Sequence, residues 1–216
     1  PVIHDKYINY KGLTASLKEA VQCFLINNVI RTLRGQHTAH RSMMINITRF
    51  NDVQTQIQEC VEEYIQKLSI EIEQLSNESL EGFIANQDMH ELYKLFSEND
   101  FYQLIRSGDI DNEVSPVSWE EIQSGLYEEI RKITVVEINS KNGKMTMKNQ
   151  VGKNKRFDYE DYDETGARVI AIGGMVLSRG LTLEGLMISY YSRNAGAYDT
   201  LLQMCRWFGY RPKYED

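Results

Sequence analysis

Cysteine and proline are both scarce, with three of each in 216 residues. Cys23, Cys60 and Cys205 are odd in number and far apart, so they supply neither a disulfide framework nor a Cys-x-x-Cys metal knuckle. That usage fits a reducing compartment, and a cytoplasmic location is the expectation. No apolar run is long enough to span a bilayer, and the N-terminus lacks a signal-peptide layout, so no membrane partner is expected. There is no internal repeat and no low-complexity tract. Three familiar site templates are missing as well. A Walker A loop fails because Gly174 and Gly180 are six apart and Leu181 stands where lysine should be. A G-x-G-x-x-G fingerprint fails because the glycines fall at 173, 174, 180 and 185. A G-x-S-x-G elbow fails because Ser178 lacks glycines at the required spacing.

What is present is unevenly charged. Residues 59–130 hold 18 Asp/Glu and 3 Lys/Arg, a balance of −15. The remainder holds 13 acidic and 21 basic residues, a balance of +8, which the net charge of −7 conceals. A basic frame is compatible with polyanion binding. The acidic stretch reads most simply as the solvated face of a run of amphipathic helices.

The periodicities alternate between helix and strand. Ser16 and Glu19 make an S-x-x-E capping box, and Leu17, Ala20, Val21, Phe24 and Leu25 recur at helical spacing. This helix is expected to reach about Leu33 and stop at Gly35. Met43, Met44, Ile45 and Ile47 make a strand-length apolar run, with Thr48, Arg49, Phe50 and Asn51 as a polar turn after it. Val53, Ile57, Cys60, Val61, Tyr64 and Leu68 mark one face of a second long helix. Residues 69–130 read as helices with short breaks, and Ser118 and Glu121 repeat the capping box. Strands are expected at 133–139, in "ARVIAIGG" and in "LMISYYSR". The polar stretch between the first two is expected to be a hairpin or loop. A last helix is expected over "AYDTLLQMCRWFG". The pattern predicts an α/β fold: a mostly parallel open sheet with helices on both faces, built from 1–68 and 131–216 and interrupted by a helical insertion at 69–130. Pro1 without a preceding Met, and the abrupt end after Asp216, suggest a piece of a longer protein.

Two constellations carry the chemistry. "GGMVLSRGLTLEGL", residues 173–186, puts Gly174, Ser178, Arg179, Gly180, Thr182 and Glu184 after a buried strand, where ligands bind in open α/β sheets. Arginine pairs with phosphate, hydroxyls donate to it, and glycine lets backbone approach it. Tight strand–helix packing explains the glycines equally well, and this motif alone leaves both readings open. "QMCRWFGYR" sets Gln203, Arg206 and Arg211 around Trp207 and Phe208. One arginine could cap a helix end and stack on Trp207. Two arginines and a glutamine, just downstream of the glycine motif, fit a site that senses a nucleotide γ-phosphate.

From "IAIGGMVLSRGLTLEG" through "QMCRWFGYRPKYED", with "SLKEAVQCFLINNVIRTLRG" and "HRSMMINITRFNDVQ" upstream, the sequence resembles the Z-one (Z1) domain of candidate bacterial endonucleases. That family looks like the second RecA-like half of superfamily-two helicases and translocases. The resemblance implies that "RFNDVQ" stands for helicase motif IV, the glycine motif for motif V and "QMCRWFGYR" for motif VI. It implies that Arg206 and Arg211 face the phosphates of Mg²⁺-bound ATP, with Gln203 ordering them. Gly174, Arg179, Gly180, Thr182 and Glu184 would border the nucleotide, and Thr48, Arg49 and Ser178 would touch the nucleic-acid backbone. The sequence departs from the helicase pattern at Thr182, where an acid is common, and at Cys205, where glycine is common. Its motif VI is also one residue longer than Q-x-x-G-R-x-G-R. Walker A and Walker B are absent, so an N-terminal RecA-like half of the same protein would complete the ATP site, and this chain alone is not expected to hydrolyse ATP appreciably. The implied activity is a DNA-dependent ATPase in a restriction, repair or phage-defence system, with a nuclease or other defence protein as a further partner.

Two other readings compete. A metal-dependent endonuclease would need clustered carboxylates, and "DYEDYDETG" offers Asp158, Glu160, Asp161, Asp163 and Glu164, without a D-x(n)-E-x-K order. A solvated acidic loop accounts for them more simply. His37 and His40 have no metal-ligand companions at the right spacing. A non-catalytic interaction module, docking a partner through the acidic helices, is the third reading.

Overall fold

The computed structural model describes residues 10–48, 50–108, 115–138, 145–148, 154–174 and 183–192. The chain divides into two compact units. One is a sheet unit that includes Thr38–Glu62 and the chain from Ile133 onward, and the other is a helical unit of Thr14–His37 and Glu63–Lys132. The fold class is α/β, as the alternating periodicities predict.

The sheet unit is built on β1 (Arg41–Asn46), β2 (Ile133–Ile138), β3 (Met145–Lys148), β4 (Asn154–Arg156), β5 (Arg168–Ile172) and β6 (Leu186–Tyr191). Their order in space is β4-β3-β2-β5-β1-β6. The last four strands of that order are parallel, with Met43 and Val135 both facing Ile170 across their ladders, whereas β3 and β4 add an antiparallel edge. Central strands of a parallel sheet are covered on both faces, so they read as unbroken apolar runs. Every residue of β1 and β5 is buried accordingly. On one face Met44, Val136, Ile138, Val169 and Ala171 pack with Phe157, Tyr159, Leu183 and Leu186. Phe157 meets Tyr159 edge-on at 5.2 Å and stacks on Tyr162 at 5.2 Å. The polar stretch after β2 thus contributes a hairpin, β3–β4, and then an aromatic lid on this face.

The helical unit holds α1 (Ala15–Leu33), the second half of α2 (Asn51–Leu75), α3 (Leu80–Ile84), α4 (Gln87–Glu98), α5 (Gln103–Ser107) and α6 (Trp119–Ile130). α1 is buried around most of its circumference, including Gln22, Asn27 and Asn28. Two of these polar groups are satisfied by tyrosines: Gln22 Nε2 donates to the Tyr64 hydroxyl at 3.0 Å, and the Tyr102 hydroxyl donates to Asn27 Oδ1 at 2.9 Å. The expected capping box at Ser16 and Glu19 does not form. Thr14 is the cap, its Oγ1 accepting the Leu17 N–H at 3.3 Å, which starts the helix early enough to bury Leu17 in its first turn. The second capping box is present: Ser118 Oγ accepts the Glu121 N–H at 3.2 Å and Glu121 Oε2 accepts the Ser118 N–H at 2.8 Å. Phe83, Tyr93 and Phe96 surround Trp119 at ring separations of 5.7, 5.1 and 6.0 Å. Among the described residues, no helix is long and apolar enough to cross a membrane.

Candidate functional site

Parallel strands have two chemically different edges, and the sequence motifs distribute between them. At the carboxyl edge, β5 runs out through Ile172 into Gly173 and Gly174, both buried. The Gly173 N–H donates to Ile45 O at 3.1 Å, which carries the β5–β1 pairing one residue past the ladder. Asn46, the last residue of β1, donates from Nδ2 to Gly174 O at 3.3 Å. The Ser192 N–H, just beyond β6, donates to Asn46 O at 3.2 Å. Asn46 therefore ties together the exits of three parallel strands. Two residues on, Thr48 Oγ1 accepts the Phe50 N–H at 3.1 Å. Its carbonyl accepts Gln54 Nε2 at 3.1 Å, tying the turn to the start of α2.

The topology marks this edge as the one at which open α/β sheets usually place ligands. β1 is followed in sequence by β2, on the far side of β5, while β5 is followed by β6, on the far side of β1. The two connections leave neighbouring strands in opposite directions. That is the switch point at which open α/β sheets form a crevice beyond the carboxyl ends. Thr48 and Gly174, both singled out in the sequence, flank it.

Glu184 lies at the opposite edge. A connection between parallel strands must return to the amino end of the sheet, and Glu184 stands two residues before β6. There its carbonyl accepts the Ser42 hydroxyl at 2.7 Å, and Ser42 Oγ also meets the Tyr159 hydroxyl at 2.7 Å. Burial pushes the Tyr159 hydroxyl up to about 12, with the Ser42 hydrogen bond pulling the other way. His40 Nδ1 accepts the Ala167 N–H at 3.0 Å, which leaves the proton of the neutral ring on Nε2. Nε2 faces Asp163 Oδ1 at 3.5 Å and Glu184 Oε2 at 3.7 Å. An imidazole whose Nδ1 lone pair is already taken, and whose Nε2 carries the proton, has no free lone pair for a metal. This cluster therefore latches the amino edge. Gly185 permits the latch: it adopts φ +65°, and a Cβ there would sit 1.7 Å from His40 O.

Two carboxylates of the acidic loop have partners. Asp158 Oδ2 accepts Arg156 Nη2 at 2.9 Å, and Asp163 faces His40. The described residues contain no group of three His, Cys, Asp or Glu that could hold a metal ion. Arg49, Ser178, Arg179, Gly180, Thr182, Gln203, Arg206 and Arg211 lie outside the described residues. Asn46 and Gln54 were not singled out by sequence reasoning. The one available signal was a polar residue, Asn46, interrupting the apolar run "MMINI".

The Z1 domain family model matches residues 16–216. No curated protein and no solved structure matches the chain.

Proposed function

The chain belongs to the Z1 domain family, and on that premise we propose that it is the C-terminal motor half of a superfamily-two helicase-like, DNA-dependent ATPase in a restriction, repair or phage-defence system. One observation carries the reading: the glycine motif leaves β5 at the switch point of a parallel sheet, beside the turn after β1 that contains Thr48. Thr48 and Gly174, far apart in sequence, thus stand at the exits of two neighbouring parallel strands.

In this reading Arg206 and Arg211 face the ATP phosphates, and Gln203 orders them. Gly174, Arg179, Gly180 and Thr182 border the nucleotide, and glycine backbone without side chains lets a charged group come close. Glu184 takes no part, since its carbonyl and carboxylate belong to the amino-edge latch. Thr48, Arg49 and Ser178 hold the nucleic-acid backbone, which gives binding without sequence preference. The Walker A and B groups that hold Mg²⁺ and the β- and γ-phosphates come from an N-terminal RecA-like half. ATP closes the gap between halves, and a nuclease or other defence partner uses the resulting motion.

The test is DNA-stimulated ATP hydrolysis by the protein carrying both halves, comparing wild type with Arg206→Ala and Arg211→Ala. An arginine finger is worth roughly 10³–10⁵ in rate. One variant should lose turnover while still folding and binding ATP. Normal turnover by both variants, or a wild type that never hydrolyses ATP, overturns the motor reading.

A further inference from the structure

Two buried amide oxygens at the carboxyl edge meet no hydrogen-bond donor among the described residues: Asn46 Oδ1 and Gln54 Oε1. Both residues are only 1% exposed. In each, the NH₂ end is spent on a protein carbonyl, Asn46 Nδ2 on Gly174 O and Gln54 Nε2 on Thr48 O. Those bonds fix which end of each amide is oxygen, because the reverse assignment would set two acceptors against each other. A buried acceptor left without a donor costs the desolvation of that group. Here two such acceptors occur within nine residues of chain, one on the last residue of β1 and one in the first turn of α2.

We propose that Asn46 and Gln54 form a subsite that reads a ribose hydroxyl of the ligand bound at this crevice. The proposal rests on the nucleotide-site reading above and adds which part of the ligand lies here. The chemistry of the pair narrows the choice. A phosphate at neutral pH brings only acceptors, and two carbonyl dipoles repel it. An ammonium or guanidinium would be desolvated against neutral oxygens that supply no counter-charge. A neutral O–H donor satisfies an amide oxygen at no such cost.

The hydroxyl can come from a free nucleotide or from a ribose-containing strand, and two titration arms separate them. In the first, the protein carrying both RecA-like halves is titrated with ATP, 2′-deoxy-ATP, 3′-deoxy-ATP and tripolyphosphate, followed by ligand-observed NMR. In the second, it is titrated with an oligoadenylate in its ribo and deoxyribo forms. In one arm, removing the read hydroxyl should weaken binding roughly fivefold to tenfold. In that arm Asn46→Ala and Gln54→Ala should bind the hydroxylated and deoxy ligands equally. If the wild type binds ribo and deoxy forms equally in both arms, the subsite is overturned and the nucleotide reading stands. If it binds none of these ligands, both fall. Should the variants fail to melt cooperatively, the wild-type series decides alone.

Discussion

Gly185 shows how narrowly one residue can be specified. It stands between Glu184 and Leu186, the first residue of β6, in left-handed backbone, with His40 O where a Cβ would be. Its own carbonyl accepts the Ser42 N–H at 2.8 Å, so the backbone cannot move away without breaking the β1–β6 edge. Gly185→Ala is expected to cost roughly 2–4 kcal/mol, combining left-handed strain with a backbone collision. Urea denaturation would check it; a midpoint within error of wild type would mean that the edge relaxes freely. In the sequence, this glycine and Gly173–Gly174 read as one motif. The structure separates their jobs: one pair sits at the exit of a strand and the other glycine at the entrance of the next. Sequence proximity cannot reveal that separation, because a parallel crossover spans the full height of the sheet. Thr48 and Gly174 were legible as residues just beyond strand ends from the polar turn and the glycines. Asn46 and Gln54 were not, since an unmatched amide oxygen exists only once the partners of its other end are known.

At the scale of elements, helix and strand identities followed from periodicity, and the failures came at ends. Thr14, Ser16 and Glu19 all suit a helix start, and the choice among them depends on burying Leu17, a tertiary effect. By contrast Ser118 and Glu121 cap α6 as read, because both halves of that box are local. α6 also carries Gly125 in its middle, where glycine is normally unfavourable by about 1 kcal/mol relative to alanine. A Cβ there would sit 2.6 Å from Val29 Cγ1 of α1, and Val29 is a stiff, buried side chain. The glycine is kept so that the two helices can touch. Gly125→Ala should therefore lower stability by about 1–2 kcal/mol despite its better helix propensity. In the Val29→Ala background the same change should be neutral or stabilising. A double-mutant cycle by thermal melting measures the coupling, and additivity of the two changes would refute the packing explanation.

For the whole molecule, charge and topology tell different stories about the same chain. The segments of the helical unit hold 17 acidic and 8 basic residues, a balance of −9, whereas the rest holds 14 acidic and 16 basic, a balance of +2. In the proposed reading polyanion contacts fall to the second set, so an acidic protein is expected to bind duplex DNA electrostatically. The logarithm of its affinity should fall linearly with the logarithm of salt concentration, by about −0.9 for each phosphate neutralised. Fluorescence anisotropy across a salt series would show it, and a flat line would remove the backbone-gripping role. The fold class was legible from the alternation of patterns. The strand order was not, because nothing local pairs β1 with two strands more than a hundred residues downstream.

That remote pairing sets a schedule for synthesis. β1 leaves the ribosome well before its two neighbours, β5 and β6, which begin only at Arg168 and Leu186. The helical unit is complete in sequence by Lys132. At roughly 5–20 residues per second, the apolar strand Arg41–Asn46 waits on the order of ten seconds for the partners that cover it. During that interval "RSMMIN" is the segment of the nascent chain with most need of a chaperone, and a truncation before residue 186 would leave it permanently without one of its two neighbours.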